Sequence, residues 1–110
     1  MKLGIILGFF SSVFVSTVFA GTINGSLKQD GRPVIQGTVI NIVCASGKDY
    51  PGATNNKRGS FRILVNETGK CMFILPGFAG VSHPVSSSRN PVRYDFNIMR
   101  SDNDFRLRRQ

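Results

Sequence analysis

The 110-residue chain is poor in the side chains that do covalent chemistry, with one histidine, two cysteines and six acidic residues. One histidine and two cysteines fall short of the ligand sets that hold zinc. His83 stands in a Ser- and Pro-rich stretch beside Ser82 and Ser86 to Ser88. A serine nucleophile needs a base within hydrogen-bond reach and a third group orienting that base, and nearness in sequence supplies neither. His83 therefore reads as an exposed loop residue, and no catalytic residue is assigned. The acids are scattered. Asp102 and Asp104 share one turn, which offers too few ligands for calcium and reads as solvated. No metal and no cofactor is expected.

Helical patterning and internal repeats are missing beyond residue 20. The first twenty residues read as a signal peptide. Met1-Lys2 gives a positive start, Leu3 to Val15 is almost wholly apolar, and Val18-Phe19-Ala20 has the small-x-small form of a cleavage site. The apolar run is short for a membrane span and polar Thr22 follows soon after, so no transmembrane segment is expected in the mature chain. An uncleaved N-terminal anchor is the alternative. No cysteine sits at the cleavage point, which argues against a lipoprotein. Residues 21–110 suffice for one domain, in the periplasm or secreted.

An exported domain of this size has a marginal core and gains from cross-linking. Cys44 and Cys71 are the only cysteines, and export places them in an oxidising compartment. They read as a structural disulfide worth roughly 3–4 kcal/mol in the chain-entropy model. A redox pair is the alternative, but the two lack a C-x-x-C spacing and both fall on inward faces.

Acidic charge is scarce relative to basic. Fourteen Lys and Arg against six Asp and Glu give a formal net charge of +8. A balance of that sign attracts anionic polymers and surfaces in a salt-sensitive way; it also merely keeps small exported proteins in solution.

What the chain has in quantity is strict alternation. Phe61, Ile63 and Val65 share one face of a strand, and Cys71, Phe73 and Leu75 share the matching face of the next. The turn-favouring Asn66-Glu67-Thr68-Gly69 link between them predicts a hairpin, one side buried against a second sheet. Ile23, Gly25 and Leu27 give an earlier half-buried strand, with Lys28 among its outward residues. Thr38, Ile40, Ile42 and Cys44 give a central one. Ala45 to Lys57 reads as loop with a short edge strand near Ala53-Thr54, and Gly77 to Asn90 as the longest irregular segment. Val92, Tyr94, Phe96 and Ile98 point inward on the cleanest strand, and Phe105 to Arg109 returns after the turn at Ser101 to Asp104. About seven short strands argue a single small antiparallel β-sandwich, Ig-like or transthyretin-like, with an all-β fold.

Several short motifs resemble a known family. Ile23-x-Gly25-x-Leu27, Gly31-x-Pro33-Val34, Gly37-Thr38-x-Ile40-x-Ile42, then Thr54, Gly59-Ser60-Phe61 and Gly69-Lys70-Cys71 are similar to the carboxypeptidase regulatory-like domains. The resemblance spans about Ile23 to Leu75 and more loosely to Ile98. It implies a transthyretin-like (prealbumin-like) sandwich and a non-catalytic role beside larger exported proteins. Cys71 stands where the family usually carries an aromatic, which favours pairing with Cys44. Collagen-adhesin B-type relatives carry a Lys–Asn/Asp isopeptide bond assisted by an acid; Lys28 would be the amine, but Glu67 falls in a turn. The transthyretin-related hydrolases need His and Arg positions and a C-terminal Tyr-Arg-Gly-Ser motif, which the chain lacks.

The candidate site is cationic. Lys57-Arg58 tip a turn, Arg62 and Arg93 point outward, and Arg100, Arg106, Arg108 and Arg109 crowd the C-terminus. Pairing of the last strand with Val92 to Met99 makes an arginine-rich edge, with Arg93, Arg100, Arg106, Arg108 and Arg109 as the anion-binding set. Arginines suit phosphates through bidentate hydrogen bonds. The same charges on an edge also block strand-to-strand aggregation. Nucleic-acid readers interleave exposed aromatics with basic residues. Here most aromatics beyond residue 20 point inward, so no specific nucleic acid is expected. The partner expected is an anionic envelope polymer or, in the alternative, an exported protein gripped by the Gly77 to Asn90 loop or a strand edge. Oligomeric state stays open.

Overall fold

In a computed structural model the described residues are 21–110; the signal-peptide expectation for residues 1–20 lies outside them. Strands β1 (Gly21–Gln29), β2 (Arg32–Pro33), β3 (Val39–Cys44), β4 (Asp49–Ala53), β5 (Ser60–Val65), β6 (Gly69–Leu75), β7 (Val81–Ser87), β8 (Val92–Ser101) and β9 (Asp104–Arg109) follow in order. A 3-10 turn at Pro76–Phe78 interrupts them. The protein is an all-β sandwich, and no helix among the described residues is long and apolar enough to cross a membrane.

Two sheets face each other. In the first, β1 is central, with β5 and the two-residue β2 along one side and β8 then β9 on the other. The second runs β4-β3-β6-β7. Every pairing is antiparallel except one: β1 and β8 lie parallel, Ile23 opposite Val92 through Gln29 opposite Ile98. A parallel neighbour needs a long crossover connection. Here the second sheet and β5 supply it, because both lie between β1 and β8 in sequence.

The inward faces are those the alternation marks. Ile23, Leu27, Ile40, Ile42, Phe61, Ile63, Val65, Phe73, Leu75, Phe96 and Ile98 are buried. Phe73 of the second sheet packs between Phe61 and Phe96 of the first, with ring centroids 5.3 and 4.7 Å away. Each fully buried aromatic of this kind contributes about 1.5–3 kcal/mol by removal from water.

Three expectations about connection need correction. β5 and β6 do not form a hairpin: β5 pairs with β1, while β6 pairs with β3 and β7. Their link arches from one sheet to the other, so the two apolar faces meet across the core instead of lying side by side. The arch is clasped from outside, since Glu67 Oε2 accepts hydrogen bonds from Ser46 Oγ (2.6 Å) and Tyr50 Oη (2.7 Å). Second, Gly77 to Asn90 is not irregular throughout. It contains β7, which buries Val85 and Ser87 and exposes Ser82, Pro84 and Ser86. Third, the edge strand placed near Ala53-Thr54 begins earlier, at Asp49. β4 and β7 are both edge strands, and each carries a proline (Pro51, Pro84) that removes a backbone donor and so discourages further pairing.

Candidate functional site

Sheet register decides which cations share a surface, because residues paired across neighbouring strands point the same way. Asn24 on β1 pairs with Arg62 on β5 and Arg93 on β8, so both arginines flank it on the outer face of the first sheet. Ser26 pairs with Ser60 and Asp95 in the next row. Lys28 pairs with Asn97, which pairs with Arg108. Met99 pairs with Arg106, and Ser101 with Asp104 in the last row. Arg62, Arg93, Arg106 and Arg108 are exposed and Lys28 half-buried. Neighbouring strands stand about 4.8 Å apart, so these five cations share one broad, gently twisted surface.

That surface carries two carboxylates, Asp104 at the hairpin end of β9 and Asp95 among the cations. Asp95 Oδ2 accepts from Arg93 Nε at 3.0 Å and its Oδ1 accepts from Ser26 Oγ at 2.9 Å. Partial burial opposes its ionisation, but the hydrogen bonds from Arg93 and Ser26 and the charge of Arg93 outweigh it and hold the carboxyl below its ordinary value. Arg93 is thereby half-neutralised in place, whereas Arg62, Arg106, Arg108 and Lys28 have no carboxylate partner among the described residues.

The five arginines expected to act together therefore separate. Arg93, Arg106 and Arg108 lie on the outer sheet face. Arg100 and Arg109 pair with Phe105 and Phe96 and so belong to the other side of the sheet. Arg100 stands over the Phe105 ring, 5.7 Å from its centroid, and Arg109 over Tyr94 at 4.2 Å. Arg109 Nη2 also donates to the Arg93 carbonyl at 3.0 Å. Alternation along β9 explains the split. Even-numbered Arg106 and Arg108 point out, while odd-numbered Phe105, Leu107 and Arg109 point in. The sequence also placed Arg62 outward, but only the β1–β5 register shows that it stands in the row of Arg93. Lys28 joins them through its pairing with Asn97.

The other residues singled out have local roles. Cys44 and Cys71 form a disulfide between adjacent strands. His83 is not an exposed loop residue: it lies on β7, half-buried, with its ring 5.0 Å from Phe96. Its Nδ1–H donates to the Pro84 carbonyl at 2.7 Å, and none of the neighbouring serines bonds to its ring. Lys57 and Arg58 remain in the turn before β5. Asp102 sits in the β8–β9 hairpin turn and Asp104 opens β9; among the described residues no cluster of three or more His, Cys, Asp and Glu is placed to hold a metal. Thr54, one of the residues carrying the family resemblance, is buried. Its Oγ1 donates to the Ile35 carbonyl and accepts from the Thr38 amide, tying down the loop before β3.

The second sheet presents a contrasting exterior. Val39, Asn41 and Val43 on β3, Met72 and Ile74 on β6, Pro51 and Ala53 on β4, and Pro84 on β7 point outward by register. Asp49 and Lys70 are the charges of that face, and they stand near one end of it. The sandwich is thus two-sided, basic on one exterior and largely apolar on the other. No family model, curated protein or solved structure matches the chain.

Proposed function

We propose that this is an exported, non-catalytic binding module that attaches to an anionic component of the cell envelope through the basic exterior of its first sheet. The observation that carries the reading is the shared register of Lys28, Arg62, Arg93, Arg106 and Arg108, five cations against two carboxylates on that face, the already paired Asp95 and Asp104 at the hairpin end. A sheet face is rigid, so the cations meet a phosphate-bearing surface with little ordering cost. The reading moves the site from the C-terminal edge to a whole face, and drops Arg100 and Arg109 from it. Export to the periplasm or beyond is supported by the pattern of residues 1–20 and by the disulfide, since such bonds persist in oxidising compartments.

Kinship with carboxypeptidase regulatory-like domains belongs to the same proposal. Two facing sheets with the first strand at the centre of one of them support a transthyretin-like arrangement.

The test is sedimentation with vesicles of mixed phosphatidylglycerol and phosphatidylcholine, compared with phosphatidylcholine alone, across a salt series. Binding that needs the anionic lipid and fades as salt rises supports the proposal. Equal binding to both, or binding indifferent to salt, overturns it. A second reading, a protein–protein module, is favoured by the apolar exterior of the second sheet, where Val39 is 53 % exposed and Met72 38 %. It predicts an exported protein partner retained in high salt and lost in Val39→Glu.

A further inference from the structure

At one end of the sandwich, where the disulfide closes the second sheet, lies a groove of about 590 Å³. Its walls include Val43, Met72, Pro84 and Tyr94 together with the Cys44–Cys71 bridge. Pockets of this size suit small organic ligands when mostly apolar walls carry a few convergent polar groups. His83 and Ser86 are among the polar groups here, and the charged ones have one sign. Lys70 and Arg109 line the groove, and no Asp or Glu does. Neither cation has a carboxylate partner among the described residues, whose one ion pair is Arg93–Asp95.

Arg109 is also held in position. Its guanidinium lies over Tyr94 at 4.2 Å and donates one hydrogen bond to the Arg93 carbonyl. The Tyr94 hydroxyl accepts from the Ser86 amide at 2.9 Å, which fixes the ring beneath it. A guanidinium has five N–H donors in a planar fork, and this bond to Arg93 engages one of its two terminal nitrogens. A preset fork beside an apolar wall recognises a group with paired anionic oxygens and a hydrocarbon body.

We propose that this groove binds an aliphatic monocarboxylate, its head on Arg109 and Lys70 and its tail along Val43, Met72 and Pro84. The carboxylate supplies the counter-charge the two cations lack, and the tail covers apolar wall that water otherwise wets. The site is separate from the basic exterior of the first sheet, to which Arg109 does not contribute.

The test is a titration of the purified oxidised protein with decanoate, followed by amide shifts in two-dimensional ¹H–¹⁵N NMR, alongside decanol and a short peptide ending in leucine. Decanoate should shift the amides around Lys70 to Met72 and Val85-Ser86 and bind roughly tenfold or more tightly than decanol, as a charge-assisted contact implies. Lys70→Gln with Arg109→Gln should lose that advantage while keeping the native thermal transition. Ala45→Phe, which narrows the groove without removing charge, should weaken binding as well. Arg106→Gln with Arg108→Gln should leave it unchanged, which separates this site from the proposed envelope-binding face. Decanol binding equally, shifts confined to the basic face, or an unaffected Lys70/Arg109 variant would each overturn the assignment. Tighter binding of the peptide would also overturn it, since the groove would then read a chain terminus.

Discussion

Cys44 and Cys71 are direct register partners on β3 and β6, with Cα atoms 3.9 Å apart and their sulfurs bonded. The bridge thus ties neighbouring strands at the end of the second sheet and closes the connection that carries β4, β5 and the arch. With the cysteines separated by 27 positions in sequence, its loss should cost about 3–4 kcal/mol by the chain-entropy argument. Urea unfolding of the Cys44→Ala/Cys71→Ala protein should show a midpoint well below that of the oxidised parent. Reductant should lower the parent midpoint and leave the variant unmoved. A variant as stable as the parent would show that β3–β6 packing alone carries the sheet.

The clasp over the arch should make stability depend on pH at both ends. Hydrogen bonds from Ser46 and then Tyr50 hold Glu67 below its ordinary value, and the same bond to Glu67 raises Tyr50 above 10.0. For Glu67 the folded value lies beneath the unfolded one, so the unfolded chain binds more protons and stability falls as pH drops through the carboxylate range. For Tyr50 the folded value is the higher, so its contribution is whole below the ordinary tyrosine range and is lost as pH climbs through the folded value. Glu67→Ala, which removes the acceptor as well as the charge, should flatten both limbs of a melting-temperature profile, leaving the acid limb contributed by Asp95. An unchanged alkaline limb in that variant would rule out the clasp as its source.

Gly25 on β1 stands opposite Tyr94 of its parallel partner β8. A Cβ built there would lie 1.8 Å from the Tyr94 carbonyl oxygen, a backbone atom that cannot swing aside. Gly25→Ala should therefore destabilise the domain by about 3 kcal/mol, at the upper end for overpacking. Thermal unfolding checks it, with Gly77→Ala, where nothing lies within 4 Å, as the control that should change little.

The inward faces were readable in the sequence because a period of two needs only the order of apolar residues. Phe61, Ile63 and Val65, and Cys71, Phe73 and Leu75, are buried as that period requires. The period says nothing about which strand lies beside which, and a hairpin and an arch share one pattern. Hence the pattern of β5 and β6 reads as a hairpin although each strand belongs to a different sheet. β7 reads as loop in the sequence because its outward positions are Ser82, Pro84 and Ser86, residues typical of loops that an edge strand tolerates. The basic site was half readable. Arginine content marked the C-terminal strands, but only register separates Arg106 and Arg108 from Arg100 and Arg109 and adds Arg62 and Lys28.

That separation yields a test free of net charge. Arg100→Gln and Arg106→Gln remove the same charge from neighbouring positions on one hairpin, so long-range attraction falls equally in both. They differ in side: Arg106 pairs with Met99 and points outward, while Arg100 pairs with Phe105 and lies over its ring. Near an anionic membrane each basic residue contributes about 1 kcal/mol, close to a fivefold change in partition, and the effect fades within a Debye length. Arg106→Gln and Arg108→Gln should each weaken vesicle binding about fivefold on that scale, and the pair should act additively. Arg93→Gln should do less, because Asp95 already offsets that guanidinium. Arg100→Gln should fall below all three in effect. Equal losses from Arg100 and Arg106 would mean that overall charge, not the sheet face, governs attachment.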